Sequence, residues 1–440
     1  MGKTFREWAP EQGLLLPPSV MDFVPVGHLA HFVRELVVET LDLSEIVGAY
    51  DEVRGSPPYH PAMMTALLLY SYSQGVYSSR RMARSCEERV DFMAVTGLGK
   101  PDFRTISEFR RRHLKALSEL FMQVLRLCRE AGMVKLGHVA LDGTKVAANA
   151  SKHKAMSYGR MKAAEEKLEA EVQGWFEKAR RVDEQEDREL GADRRGDELP
   201  AWVIDKQRRL EKIREARAAL EAKAKEEEGG SADSDPPSRR RGRPRQRPKG
   251  TPAESAQRNF TDPDSGIMKT PDGFKQCYNA QAAVDASSQV IVGEDVSGCA
   301  TDRNQLVPML DRVEEQSRSK PRELSADSDY CTEVALETLE ARQVRGYVAT
   351  GKQLHGADAP TAGRTIVTGT FRNRMKRRLT RAGRRSRYRL RKQTVEPVFG
   401  QIKQARGFRQ FLLRGIEKVR GEWALVCTAH NLLKLAAAAA

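Results

Sequence analysis

An aspartate stands inside an apolar extended segment. In Gly137-His138-Val139-Ala140-Leu141-Asp142-Gly143-Thr144-Lys145-Val146 the run is short, Val139 and Leu141 lie two apart, and β-branched residues recur. That is a strand pattern. A carboxylate in a buried strand costs several kcal/mol unless it is paired or metal-bound. Asp142 therefore constrains the fold more than any other single residue. Its strand must either end there in a cap or salt bridge, or pass a site that supplies positive charge.

The segments around this strand differ in kind. Residues 1–132 read as helical. Apolar residues at Leu29, Phe32, Val33, Leu36, Val37 and Leu41 follow helical spacing, and Pro61 opens a second apolar helix over 62–72. Gln74-Gly75 breaks it, and Ser78-Ser79 caps a third helix over 80–93. These two helices resemble a helix-turn-helix, or equally an ordinary helical hairpin. A long helix over 106–131 then ends at Gly132.

After the strand, 152–181 and 202–228 are charged and Ala-rich, with Glu and Lys or Arg three and four apart. This predicts an antiparallel pair of exposed helices inserted after the first strand. The Ser/Pro/Gly/Arg-rich stretch that follows reads as a disordered basic linker. Strands are expected over 276–285 and 289–296, joined at Ala286-Ser287-Ser288, then helix 304–316, strand 322–327, helix 332–341 and strand 344–349. The fold class is α/β. Three antiparallel strands followed by helix-linked parallel ones is the order of a ribonuclease-H-like core. The expected divisions are 1–132 helical, 133–150 the first part of the core, 151–228 a helical insertion, 229–258 the linker, and 259–440 the remainder of the core with C-terminal helices.

Charge narrows the partners. The 440 residues carry 75 Lys and Arg against 60 Asp and Glu, a net +15. That balance suits a polyanion, with nucleic acid foremost, rather than small neutral metabolites. The excess gathers in 239–249 and 372–392, and the second run leads into Glu396. No apolar stretch is long enough to span a bilayer, and the N-terminus lacks a secretory pattern. The six scattered cysteines include no CxxC pair, which argues against a zinc ribbon or disulfide framework. A cytosolic, reduced protein is expected.

Three carboxylates stand out by setting: Asp142 in its strand, Asp327 at the end of another, and Glu396 in an amphipathic helix with Val395, Val398, Phe399 and Ile402 on one face. Two strand carboxylates and one helix carboxylate suit two divalent ions that polarise a phosphate and activate an attacking oxygen. Hard oxygen ligands favour Mg²⁺ or Mn²⁺. Asp329 is a rival to Asp327. His138, Asp262, Asp264 and the Glu294-Asp295 pair read as structural.

The segments Leu141-Asp142-Gly143-Thr144-Lys145, Ala326-Asp327-Ser328-Asp329-Tyr330 and Val395-Glu396-Pro397-Val398-Phe399-Gly400-Gln401-Ile402-Lys403 resemble the three acidic motifs of DDE transposases. The bacterial insertion-sequence group related to insertion sequences four and five is the nearest. Tyr388, Arg391, Glu396 and Lys403 resemble that group's tyrosine, arginine, glutamate and lysine signature. The Arg391–Glu396 gap is one residue longer than the usual form, and Lys392 stands at the usual spacing, so both basic residues remain candidates. Residues 61–81 and 101–110 resemble the group's N-terminal domain, and 430–435 its C-terminal end.

This resemblance implies a transposase that uses Asp142, Asp327 and Glu396 to hold Mg²⁺ or Mn²⁺, cuts at the element's ends and joins the freed 3′-hydroxyl to target DNA. It implies that Tyr388, Arg391, Lys392 and Lys403 contact DNA, with Arg384, Arg385 and Arg387 of the basic run beside them. The N-terminal helices would recognise terminal inverted repeats, in at least a homodimer on DNA, in the bacterial cytosol at the nucleoid. Arg241 and Arg243 lie in Arg241-Gly242-Arg243-Pro244-Arg245, which resembles a minor-groove hook or a plain basic linker. A nuclease of the same fold that only cuts, and an inactive DNA-binding regulator descended from a transposase, are the alternatives.

Overall fold

The protein is described by a computed structural model covering residues 19–50, 57–190, 201–229, 248, 250–351, 370–382 and 387–439. The chain divides into two units. One comprises Met1–Met133, Ala405–Gly407 and Ala424–Ala440, and the other Val134–Gln404 and Phe408–Trp423.

The first unit is helical, with α1 (Leu29–Glu35), α2 (Ser44–Val47), α3 (Pro61–Ser73), α4 (Ser79–Glu88), α5 (Val90–Thr96), α6 (Phe103–Arg112) and α7 (Leu114–Glu130). Helix α3 starts with Pro61 at its first turn and is buried from Met64 to Ser73. A helix apolar all round belongs at the centre of a core. It packs on α1 and α5, while α4 packs on α5 and α6. The two helices flanking Gly75 thus rest mainly on other helices.

Two helices expected as continuous are broken. Arg89, extended at φ −118° and ψ 123°, separates α4 from α5, and its guanidinium pairs with Asp91 at 2.6 Å. His113 (φ −104°, ψ 17°) separates α6 from α7, its ring packed on Phe109 and Tyr50. Helix α6 also starts earlier than expected, because Asp102 accepts from the Arg104 amide at 2.8 Å as an N-cap.

The second unit is built on a mixed sheet. Its strands are β1 (Val139–Ala147), β4 (Gly266–Thr270), β5 (Gly273–Asp285), β6 (Ile291–Ser297), β7 (Glu323–Ala326) and β8 (Arg345–Val348). Strand β5 pairs antiparallel with β1 on one side and with β6 and β4 on the other. Strands β7 and β8 then extend the sheet parallel to β1. Helix α10 (Leu306–Ser317) leads from β6 to β7, and α11 (Glu333–Ala341) from β7 to β8. The turn after β5 is fixed by Asp285, which accepts from the Ser287 amide at 2.8 Å. The sheet is closed by Trp423, whose indole donates to Gln281 O at 3.0 Å and whose ring packs with Phe408 and Phe411.

The helices after β1 are α8 (Tyr158–Leu190) and α9 (Ala201–Gly229). Met161 and Leu168 pack against Leu210, Ile213 and Leu220. Glu165 takes Arg214 at 3.0 Å and Arg217 at 2.5 Å, while Glu171 takes Lys206 at 2.5 Å. Rising numbers on one helix meet falling numbers on the other, so the pair is antiparallel. Two short strands absent from the sequence-based expectation form its neck: β2 (Ala155–Ser157) pairs antiparallel with β3 (Gln257–Asn259). Of the expected linker 229–258, residues 230–247 and 249 lie outside the described residues, and Gln257 and Arg258 belong to β3. Among the described residues no helix is long and apolar enough to cross a membrane.

Three helices complete the unit: α12 (Phe371–Ala382), α13 (Leu390–Gly400) and the start of α14 (Ile416–Ala439). Acids read as structural have partners here. Asp262 accepts from Tyr278 Oη at 2.6 Å and the Gly415 amide at 3.1 Å, and Asp295 pairs with Arg420 at 2.9 Å.

Glu294 on β6 is different. Its carboxyl is pushed up to about 7, first by burial and then by the charge of Asp295, against the opposing pull of Arg312, Gln316 and Arg420. A raised folded-state value means the favourable, neutral form is fully kept below the ordinary carboxylate range and lost as pH rises through 7. Glu294→Gln should therefore gain stability over the parent at pH 8 and little at pH 5. Urea melts at the two pH values check this, and equal shifts at both would contradict it.

Candidate active site

The parallel register of the sheet builds the site. Val139 pairs with Leu324 and Ala140 with Ser325, and two further steps bring Asp142 level with Asp327, just beyond β7. Asp142 and Thr144 share one face of β1, because side chains alternate along a strand. Helix α13 lies against β1 and sends Arg391 to that face. Its Nη1 donates to Asp142 Oδ2 at 2.6 Å, with both side chains largely buried (13% and 17% exposed). Its Nη2 lies 3.9 Å from Glu396 Oε1.

Charge in this cluster is unbalanced. Asp142 is pushed up to about 6, chiefly by burial; Arg391 and the Gly143 amide pull it down, and Asp327 and Asp302 push it further up. Asp327 is also raised, chiefly by burial. One guanidinium does not offset the neighbouring carboxylates. Asp327 accepts from the Asp329 amide at 2.9 Å, which caps the short turn Ser328–Tyr330. Asp329 itself is exposed, whereas Asp327 is partly buried beside Asp142.

The remaining sequence-singled residues divide. Tyr388 hydrogen-bonds with Arg391, and its hydroxyl is raised by burial, with Asp327 and Asp142 adding to the effect. Lys403, on the π-helical turn Gln401–Ala405, donates to Thr144 Oγ1 and Lys145 O, each at 3.0 Å. Burial lowers its pKa. Lys392 is exposed, so Arg391 is the basic residue that reaches the carboxylates. Glu396 is on the same helix with its side chain 50% exposed. Arg387 pairs with Glu323 at 2.7 Å, not with the cluster. Arg384, Arg385, Arg241 and Arg243 lie outside the described residues. His138 is buried between Glu323 (3.3 Å) and Ser325 (3.0 Å).

Asp302 was not singled out by the sequence. Its Oδ1 accepts from Asn279 Nδ2 at 2.7 Å and Gln281 Nε2 at 2.6 Å, both on β5. Gln281 in turn accepts from the buried Tyr330 hydroxyl. Gly143 permits this arrangement: a Cβ there would come within 2.6 Å of Asp302 Oδ1 and 2.8 Å of Asn279 Oδ1. The only sequence signal is a glycine directly after a strand aspartate.

Asp142 and Asp327 are hard oxygen donors short of positive charge, and the donor chemistry fits Mg²⁺ or Mn²⁺. Among the described residues, though, no three His, Cys, Asp or Glu side chains converge as a ready metal cluster. Arg391 stands at Asp142 instead, and Glu396 points partly to solvent.

Two family matches bear on this geometry. Residues 18–112 match a transposase domain (DUF772), and residues 364–436, which include Glu396, match a transposase DDE domain. Both matched families are transposase families, the second a DDE domain. Neither match reaches Asp142 or Asp327. No curated protein and no solved structure matches the chain. The partnership of Asp142, Asp327 and Arg391 therefore rests on its own geometry.

Gly143→Ala should drive Asp302 and Asn279 apart from β1. Overpacking of this kind costs about 1–3 kcal/mol, readable as a lower urea midpoint for the full chain. An unchanged midpoint would show that the amide–carboxylate arrangement gives way freely.

Proposed function

We propose that the chain is a divalent-metal-dependent DNA transposase with a ribonuclease-H-like core, cutting phosphodiesters at insertion-sequence ends and joining the freed 3′-hydroxyl to target DNA. The observation that carries this reading is the alignment of Asp142 with Asp327 on adjacent parallel strands, with Arg391 and Lys403 along the same face. Asp142, Asp327 and Glu396 would hold Mg²⁺ or Mn²⁺. Bound there, the metal supplies Lewis-acid polarisation of the phosphate and lowers the pKa of an attacking water or 3′-hydroxyl.

The chain's own residues do the positioning. Arg391 offers a planar fork suited to a phosphate as well as to Asp142, so an incoming phosphodiester competes with the carboxylate for it. Tyr388 holds that guanidinium in place. Lys403 presents an ammonium beside Thr144, one strand period from Asp142. Lys392, Arg384, Arg385 and Arg387 would add phosphate contacts, and Arg241 and Arg243 a minor-groove contact. The N-terminal helices would read the terminal inverted repeats. Two ends brought together imply a homodimer on DNA, at the nucleoid in the bacterial cytosol.

The test uses supercoiled plasmid carrying the DNA that flanks the gene, with Mg²⁺. The wild-type chain should yield cleaved and joined products. Asp142→Asn should lower the cleavage rate by at least 100-fold (about 2.7 kcal/mol at 1.36 kcal/mol per tenfold) while leaving DNA binding within severalfold. Cleavage by Asp142→Asn at the wild-type rate would sink the active-site assignment. Nicks without joined products would favour a plain nuclease, and binding without any cleavage an inactive regulator.

A further inference from the structure

The carboxylate face leaves unexplained a second concentration of charge at the opposite end of the same strands. A hollow of about 770 Å³ opens where β7 and β8 begin. Arg345 comes from β8, Arg387 from the turn before α13, and Arg374, Arg377, Arg378 and Arg381 from one face of α12. Like charges three and four apart destabilise a helix, so α12 holds this face at a cost. The compensation on view is small. Glu323, the one acid lining the hollow among the described residues, is shared between Arg387 and His138. Arg374 reaches Glu340 at 3.2 Å, and Arg378 donates to Gly346 O at 3.0 Å. Arg345 and Arg381 have no carboxylate partner among the described residues, and both are exposed.

We infer that this arginine-lined hollow is a second DNA-backbone site, which grips phosphates a few nucleotides from the bond held at Asp142 and Asp327. Guanidinium forks from three elements facing one space suit phosphodiester oxygens, which they can bind in bidentate fashion. DNA is favoured over a free nucleotide by continuity. Arg387 lines the hollow, and four residues later on the same segment Arg391 meets Asp142. Glu323 opens β7 at the hollow and Asp327 follows its last residue at the carboxylates. Four strand steps span roughly 13 Å, about four nucleotide steps at 3.4 Å per strand. One strand can therefore occupy both places at once.

This inference rests on the DNA reading above, and the test separates the two. The salt dependence of binding to a 30-base-pair duplex is measured by fluorescence anisotropy, without metal, for the full chain and three variants. Each phosphate contact contributes roughly 0.9 to the slope of log K against log salt. Arg345→Ala/Arg381→Ala should therefore lower the slope by about 2 and weaken binding. Arg345→Lys/Arg381→Lys should restore most of the slope. Arg208→Ala/Arg209→Ala, which removes equal charge from exposed positions on α9, should leave it unchanged. A wild-type slope retained by Arg345→Ala/Arg381→Ala overturns the hollow as a DNA site, even where Asp142-dependent cleavage stands. Equal loss from both alanine pairs also overturns it, because net charge alone would then explain the effect. If the wild-type chain binds tripolyphosphate through these arginines but no duplex, the DNA assignment fails here and the proposed function fails with it.

Discussion

Arg391 and Asp142 join α13 to β1 through a largely buried ion pair, and the arrangement of the carboxylate face depends on it. Two charges withdrawn from water cost several kcal/mol each, repaid only by close geometry and further hydrogen bonds. Here the 2.6 Å contact, the Gly143 amide on the other carboxylate oxygen, and Tyr388 against the guanidinium provide those. Removing one partner of such a buried pair costs about 3–5 kcal/mol. The helix that carries Glu396 is thus fastened to the strand that carries the first aspartate by the same cation that lies between them. Positive charge has a structural duty in this site.

The sequence made part of this legible, for physical reasons. An aspartate in an aliphatic strand is conspicuous because burial penalises it, and Asp142 and Asp327 could be picked out on that ground. The strand and helix order also followed from periodicity, because β1, β5, β6 and the inserted helices are long enough to show a period. The short β2, β3 and β4 are not, and their pairing comes from partners far away in the chain. The helix breaks at Arg89 and His113 leave no mark on the periodicity: Arg89 turns out to pair with Asp91 two residues on, and His113 packs on the distant Tyr50.

Choice among similar residues was the least legible feature. Spacing left Arg391 and Lys392 open, and helical phase separates them, one facing Asp142 and the other solvent. Asp302 was invisible because its significance comes from Asn279 and Gln281 on β5 and from the missing Cβ of Gly143. The basic run was obvious as composition. Which of its arginines converge was set by α12 folding beside β8, and Arg345 lies outside the run altogether.

The small β2–β3 ribbon carries a consequence for how such a chain can change. Ala155 and Asn259 are hydrogen-bonded neighbours, so the path leaves the sheet and returns to it one strand spacing apart, about 5 Å. Everything between them is an excursion with its own small hydrophobic seam and its own ion pairs. Among the described residues, the two helices of that excursion pack mainly on each other and on this ribbon. A lineage could lengthen, shorten or replace the helical arm while the distance from Asp142 to its partners stayed fixed, which makes the arm the part of the molecule freest to acquire a new task.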